Sequence, residues 1–174
     1  MLVTNCPGCY RTFKHYYPNL LNIEMPCEVL HVTQLLQSLN NRQSMFKKEL
    51  TMRATYHDPC ALKQSGVYEA PRRVLNEIPG LQIIEMASNK ELSRCCGGGG
   101  GLWAINPSVT FYCALRKIKE DIFPLNARFC ITSCPQCYTI FNISHLKVHR
   151  TLIEEEYSQH LLICKIKIML PDED

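Results

Sequence analysis

This 174-residue chain has no apolar run long enough to cross a bilayer. Spanning the hydrocarbon core takes about 20 mostly apolar residues, and the longest late stretch, Leu161–Leu170, is broken by Lys165 and Lys167. It has little excess of either charge. The formal net charge is +3 and the Lys and Arg residues are scattered, so no nucleic-acid surface is expected. The pair Lys47–Lys48 reads as a solvated helix face. No targeting segment is visible, because MLVTNCPGC lacks a basic region leading into an apolar one. The expectation is a cytoplasmic protein, or one held at the periphery of a membrane complex by a partner. Glycine is scarce as well: five of the eight glycines form the single run Gly97–Gly101.

What the chain has in excess is cysteine, eleven residues of it. A secreted disulfide scaffold is not expected, since the chain is long for one and no signal segment is visible. Most of the cysteines sit in tight groups, CPGC, CC and CPQC, which core packing does not explain. In a reducing compartment, grouped thiols bind metal or carry redox chemistry.

An internal repeat runs through these groups. TNCPGCYRTF, starting at Thr4, matches TSCPQCYTIF, starting at Thr132, at an offset of 128 residues. A repeat of this kind marks a duplicated unit. The predicted elements alternate: strands at Leu2–Thr4, Val29–His31, Met52–Tyr56, Leu81–Glu85 and Phe129–Thr132. Helices are predicted over Cys9–Tyr17, Val32–Leu39, around Ala70, Val74 and Ile78, and from Asn106 to Pro124. Asn106 and Pro107 suit the N-cap and first positions of the last helix, whose apolar face is predicted to be Phe111, Leu115, Ile118 and Ile122. The tail beyond about Val148 is expected to dock as a strand or helix on a neighbouring unit. Alternation of this kind predicts an α/β fold: a small, mostly parallel sheet flanked by helices, with cysteine loops at the C-terminal ends of the strands.

In such a sheet those ends line one edge, where ligand sites gather. Cys60, the pair Cys95 and Cys96, and the pair Cys134 and Cys137 all follow predicted strands and are expected to converge. Iron–sulfur centres are held by cysteine thiolates, usually four. A Cys-Pro-x-Cys segment opening a helix presents two of them, with free N–H groups and a dipole that favour negative charge. Glycines after Cys96 allow positive φ and an anion-binding nest. A phosphate loop is a poor match, since Leu102-Trp103 stands where Lys-Ser/Thr is required. Five grouped thiols exceed the four of a cubane cluster and the four of a structural zinc site, so one is spare or bridging. A non-catalytic, zinc-stabilised assembly module is the alternative reading, and a metal-free dithiol oxidoreductase built on CPGC or CPQC is a third. Cys27, Cys113, Cys130 and Cys164 stand singly, and Cys113 and Cys130 read as buried packing residues. His57 and Asp58 read as a hydrogen-bonded turn, with orienting the Cys60 loop or relaying a proton as the alternative, Trp103 as core or as a shield over the site, and Arg94 as a surface arginine or a counter-charge.

HDPC, CCGGGGG after 34 residues and CPQC 37 residues after its CC pair resemble the cysteine-rich CCG domain. That family includes the heterodisulfide reductase catalytic subunit and the iron–sulfur subunits of glycolate oxidase. The stretches TNCPGCYRTFKHYYPNLL, VLHVTQLL and GVYEAPRRVLNEIPGL also resemble that branch. The resemblance implies a 4Fe–4S cluster of noncubane type, with Cys60, Cys95, Cys96, Cys134 and Cys137 as ligands. Cys6 and Cys9 match the end of a first motif and are further metal candidates. Residues 1–45 then read as the C-terminal remnant of one CCG repeat, and 46–174 as a complete second repeat with a docking tail. The implied role is electron transfer within an oxidoreductase. A ferredoxin-like or flavin-containing subunit would be the partner, and a small disulfide, a quinone or hydroxyacid-derived electrons the other end of the reaction. Two departures stand out: Ala61 follows Cys60 where relatives often carry His, and Gly98 stands where Ala is common.

Overall fold

The computed structural model describes residues 1–39, 46, 49–151 and 162–165. Two sheets form, both parallel throughout. In the first, β1 (Leu2–Thr4) pairs with β2 (Val29–His31). In the second, β3 (Met52–His57), β4 (Leu81–Ile83), β5 (Phe129–Thr132) and β6 (Leu162–Lys165) lie in the order β4-β3-β5-β6.

The predicted elements are present with changes at their ends. The first helical stretch starts at Pro7 and changes character as it runs: α1 (Pro7–Arg11), a π-helical turn (Thr12–Tyr16) and α2 (Tyr17–Leu21). It closes on Asn22 at φ 52°, a left-handed cap that Asn tolerates. Next comes α3 (Val32–Ser38), opened by a capping box between His31 and Gln34. The other helices are α4 (Cys60–Gln64), α5 (Glu69–Asn76), α6 (Leu102–Ile105), α7 (Pro107–Lys117) and α8 (Pro135–Thr151). Asn106 caps α7 as expected, accepting from the Val109 N–H at 3.1 Å. No helix among the described residues is long and apolar enough to cross a membrane. The pair Lys47–Lys48 lies outside the described residues.

Each strand of the central pair is buried on both faces. Ala54 and Tyr56 of β3 and Ile131 of β5 pack against Leu75 of α5. On the opposite face, Cys130 joins Ala114, Ile118, Ile122, Ile140 and Phe141 from α7, its π-helical continuation (Ile118–Ile122) and α8. Two corrections arise here. The buried face of α7 is Thr110, Ala114 and Lys117, continuing to Ile118, Asp121 and Ile122, whereas Phe111 and Leu115 are only half-buried. Lys117 and Asp121 tolerate burial because they pair at 2.8 Å. Cys113, expected in the core, is half-buried as well.

The two CPxC segments follow similar backbone paths. β1 leads through CPGC into α1 and returns to a parallel neighbour, β2; β5 leads through CPQC into α8 and returns to a parallel neighbour, β6. Residues 162–165 of the tail extend the second sheet at β6, and the rest of the tail beyond Thr151 lies outside the described residues.

Candidate metal centre

The chain leaves β3 to form β4 on one side, then crosses back to form β5 on the other. β3 and β5 therefore flank a switch point, and in parallel sheets ligand sites gather beyond the C-terminal ends at such a point. Cys60 opens α4 just after β3, and Cys134 stands between β5 and α8. Cys95 and Cys96 lie in the crossover loop. These five thiols form one connected group. Cys60 contacts Cys95, Cys95 contacts Cys96, Cys96 lies 3.2 Å from Cys137, and Cys137 contacts Cys134. Cys96, Cys134 and Cys137 are buried, Cys60 is partly buried and Cys95 reaches the surface.

Backbone N–H groups are aimed at the sulfurs. Gly97 donates to Cys95 Sγ at 3.3 Å and Gly98 to Cys96 Sγ at 3.4 Å. At the start of α8, the N–H groups of Cys137 and Gln136 donate to Cys134, which suits a negative sulfur at a helix N-terminus. Two glycines are required by shape. Gly97 has φ +77°, and a Cβ there would lie 2.7 Å from Cys113 Cβ and 3.1 Å from the Thr110 carbonyl oxygen. At Gly98 a Cβ would meet Ile140 Cγ1 at 2.5 Å, which accounts for glycine in place of alanine in this chain. Gly97→Ala is expected to lower the unfolding free energy by about 2–4 kcal/mol, combining left-handed strain with overpacking. Denaturant titration of wild type and variant at equal metal loading measures it.

The electrostatics show what such a group lacks. The hydrogen bond from Cys60, then that from Cys96, hold the Cys95 thiol far below its ordinary range. The Cys137 contact, opposed by burial and aided by the backbone donors, lowers Cys134 to about 7. The others go the opposite way. The Cys95 contact and then burial push Cys60 up, and the Cys134 and Cys96 contacts push up Cys137. At Cys96, the lowering contact with Cys137 is outweighed by Cys95 and burial, which take it up to about 12. Five thiolates cannot share this space without cationic compensation, which a bound metal would supply. A set of five sulfurs ringed by N–H donors fits an iron–sulfur group.

Neighbouring side chains fix the loops. Arg72, 5 % exposed, donates to both Asp58 oxygens at 2.6 and 2.9 Å and to Glu85 at 2.6 and 2.8 Å. Asp58 also accepts the Lys90 N–H at 2.8 Å, tying the HDPC turn to the segment that leads to Cys95. The turn is thus held by hydrogen bonds through Asp58, as expected, but His57 takes no part in it. Arg94 is ion-paired with Glu120 and Asp121. Trp103 packs, half-buried, against the core that contains Cys96, Cys134 and Cys137. His57, which the sequence reading favours as part of a turn, stands at the site itself. It is fully buried and its ligating nitrogen lies within 4.8 Å of the Cys96 and Cys137 sulfurs.

Cys6 and Cys9 stand elsewhere, at the end of the first sheet. Cys6 caps α1 by accepting the Cys9 N–H at 3.4 Å, and the Cys6 contact raises the Cys9 thiol. Cys9 is exposed and Cys6 partly buried. Cys130, four residues before Cys134, points into the core from β5.

Residues 54–142 match the family described as CCG: Cysteine-rich domain. Over 134 residues the chain is 42% identical to the D subunit of the dihydromethanophenazine:CoB--CoM heterodisulfide reductase of Methanosarcina acetivorans, covering 76% of this chain and 32% of that protein. It is 38% identical to the B subunit of the fumarate reductase (CoM/CoB) of Methanothermobacter marburgensis, covering 78% of this chain and 26% of that protein. It is 33% identical to the EtfAB:quinone oxidoreductase of Syntrophomonas wolfei, covering 80% of this chain and 20% of that protein. The chain thus spans about a third or less of the length of these relatives. The cysteine spacing, the parallel sheet that gathers five thiols at its switch point and the match over residues 54–142 agree: this chain belongs to the CCG cysteine-rich domain family.

Proposed function

We propose that this chain is an electron-transfer module of a heterodisulfide reductase-like oxidoreductase, with a 4Fe–4S cluster of noncubane type on Cys60, Cys95, Cys96, Cys134 and Cys137. The observation that carries the reading is the connected five-thiol group with N–H donors on Cys95, Cys96 and Cys134. Zinc needs only four ligands and leaves the fifth thiol and the donors without a role. The cluster, when bound, supplies one-electron redox chemistry. The chain's own residues hold it, offset its charge and limit water through Trp103 and the α7–α8 core.

Disulfides and hydroxyacids change by two electrons, and a single cluster passes one at a time. A partner is therefore part of the reading: a ferredoxin-like or flavin-containing subunit on one side, and a small disulfide, a quinone or a hydroxyacid oxidation on the other. The relatives' names, which include a heterodisulfide reductase, a fumarate reductase and a quinone oxidoreductase, support this class of chemistry. We read residues 1–45 as the C-terminal part of one CCG repeat and 46–174 as a complete one, supported by the two β–CPxC–α–β passages. Cys6 and Cys9 are then ligands of a second metal group when the rest of that repeat is present. The setting is the cytoplasm or the periphery of a membrane complex. Anaerobic purification is expected to give a brown protein with iron, acid-labile sulfide and an EPR signal. Colourless protein carrying zinc and no labile sulfide would overturn the reading.

A further inference from the structure

His57 ends β3 with its side chain at 0 % exposure. Neither ring nitrogen has a hydrogen-bond partner among the described residues. Such a group is costly to bury unless something on the site side satisfies it. Phe141 of α8 meets the ring edge-on, with centroids 4.9 Å apart and planes at 84°. On β5 its register partner is Thr132, whose buried hydroxyl is also without a partner. Its near polar neighbours on the site side are the Cys96 and Cys137 sulfurs, within 4.8 Å. Cys95, Cys96 and Cys134 receive backbone N–H groups, whereas the contacts made by Cys137 are to the thiols of Cys134 and Cys96.

We infer that His57 is a positioning residue of the metal centre, whose imidazole N–H donates to sulfur at the Cys96–Cys137 pair. The inference rests on the cluster reading above. Five thiols already supply the irons, so the ring is needed as a donor to sulfur and is not a sixth ligand. Hydrogen bonds to cluster sulfur stabilise the reduced, more negative state and raise the reduction potential. Loss of this donor lowers it.

The test uses the chain loaded anaerobically with iron and sulfide, with EPR-monitored redox titrations of wild type, His57→Phe and His57→Gln. His57→Phe is expected to keep its iron and sulfide while its reduced-to-oxidised ratio at a fixed solution potential falls about tenfold, which is 59 mV for a one-electron couple. His57→Gln, which keeps an N–H donor, is expected to remain within about threefold of wild type. A fully loaded His57→Phe protein at the wild-type potential overturns the inference. If His57→Phe does not fold or load, pulsed EPR of wild type carrying 15N-histidine decides. A weak nitrogen coupling supports donation to sulfur, whereas a coupling of ligand size or none at all overturns it. Wild type without iron and sulfide overturns the cluster reading and this inference together; a loaded wild type with a silent His57 overturns this inference alone.

Discussion

Replacing Cys137 by alanine is expected to abolish iron and sulfide loading, whereas replacing Cys130 by alanine is expected to leave it intact. The two residues make a demanding pair to separate. Both are buried, at 2 % and 0 % exposure, and both belong to the same packed core. By packing alone, each substitution opens a cavity of about one heavy atom and costs about 1 kcal/mol. The difference lies in what the sulfur faces. Cys137 is on the first turn of α8, in contact with Cys134 and 3.2 Å from Cys96. Cys130 lies within β5 among Ala114, Ile118 and Phe141. Removing an outer-shell partner of a metal typically loses about 10–100-fold in affinity, and removing a ligand at the centre of the thiol chain should exceed that. Iron and labile-sulfide analysis per folded chain, with circular dichroism to count the folded protein, reads the contrast. Equal loading of the two variants would remove Cys137 from the ligand set.

Much of this arrangement is legible in the order of residues alone. The strand at Phe129–Thr132 runs into CPQC, and Pro135 opens α8 in the position where its missing N–H is harmless. The same grammar reads TNCPGC correctly at β1 and α1. Strand order is not legible. Cys60 and Cys134 meet because β5 adds beside β3 after β4 has formed on the far side, and hydrophobic alternation carries no information about that choice. The buried face of α7 is misread for a related reason. A periodicity count treats Lys117 and Asp121 as surface residues, yet each neutralises the other at 2.8 Å inside the core. His57 is read chiefly as a turn residue because HDPC has the composition of a turn. Its signal lies in β3 itself: Ala54, Thr55, Tyr56 and His57 are all buried, so a histidine at the end of a strand covered on both faces needs a polar destination.

Asp58 supplies the second large effect. Asp58→Asn is expected to lower the unfolding free energy by about 3 kcal/mol, the low end for removing one partner of a buried ion pair. Arg72 is 5 % exposed and is held by five donor contacts, two of them to Asp58. With the charge gone, Arg72 keeps Glu85, the Tyr68 carbonyl and the face of Tyr56, 5.4 Å from its guanidinium carbon, so the loss stays below the full range. Glu85→Gln is the control on the other side of the same guanidinium. The Glu85 side chain is 38 % exposed, so its pair is partly screened and should be worth no more than about 1 kcal/mol. The two variants also differ at the metal centre. Asp58 lies two residues before Cys60 and binds the Lys90 N–H of the segment that reaches Cys95, so it sets how the Cys60 and Cys95 thiols face one another; Glu85 makes no such bridge between the loops. Asp58→Asn should therefore lose iron more readily under chelator challenge than Glu85→Gln, even at a temperature where both remain folded. Equal rates of iron loss in the two folded variants would show that the Arg72 network stabilises the fold without setting the geometry of the thiols.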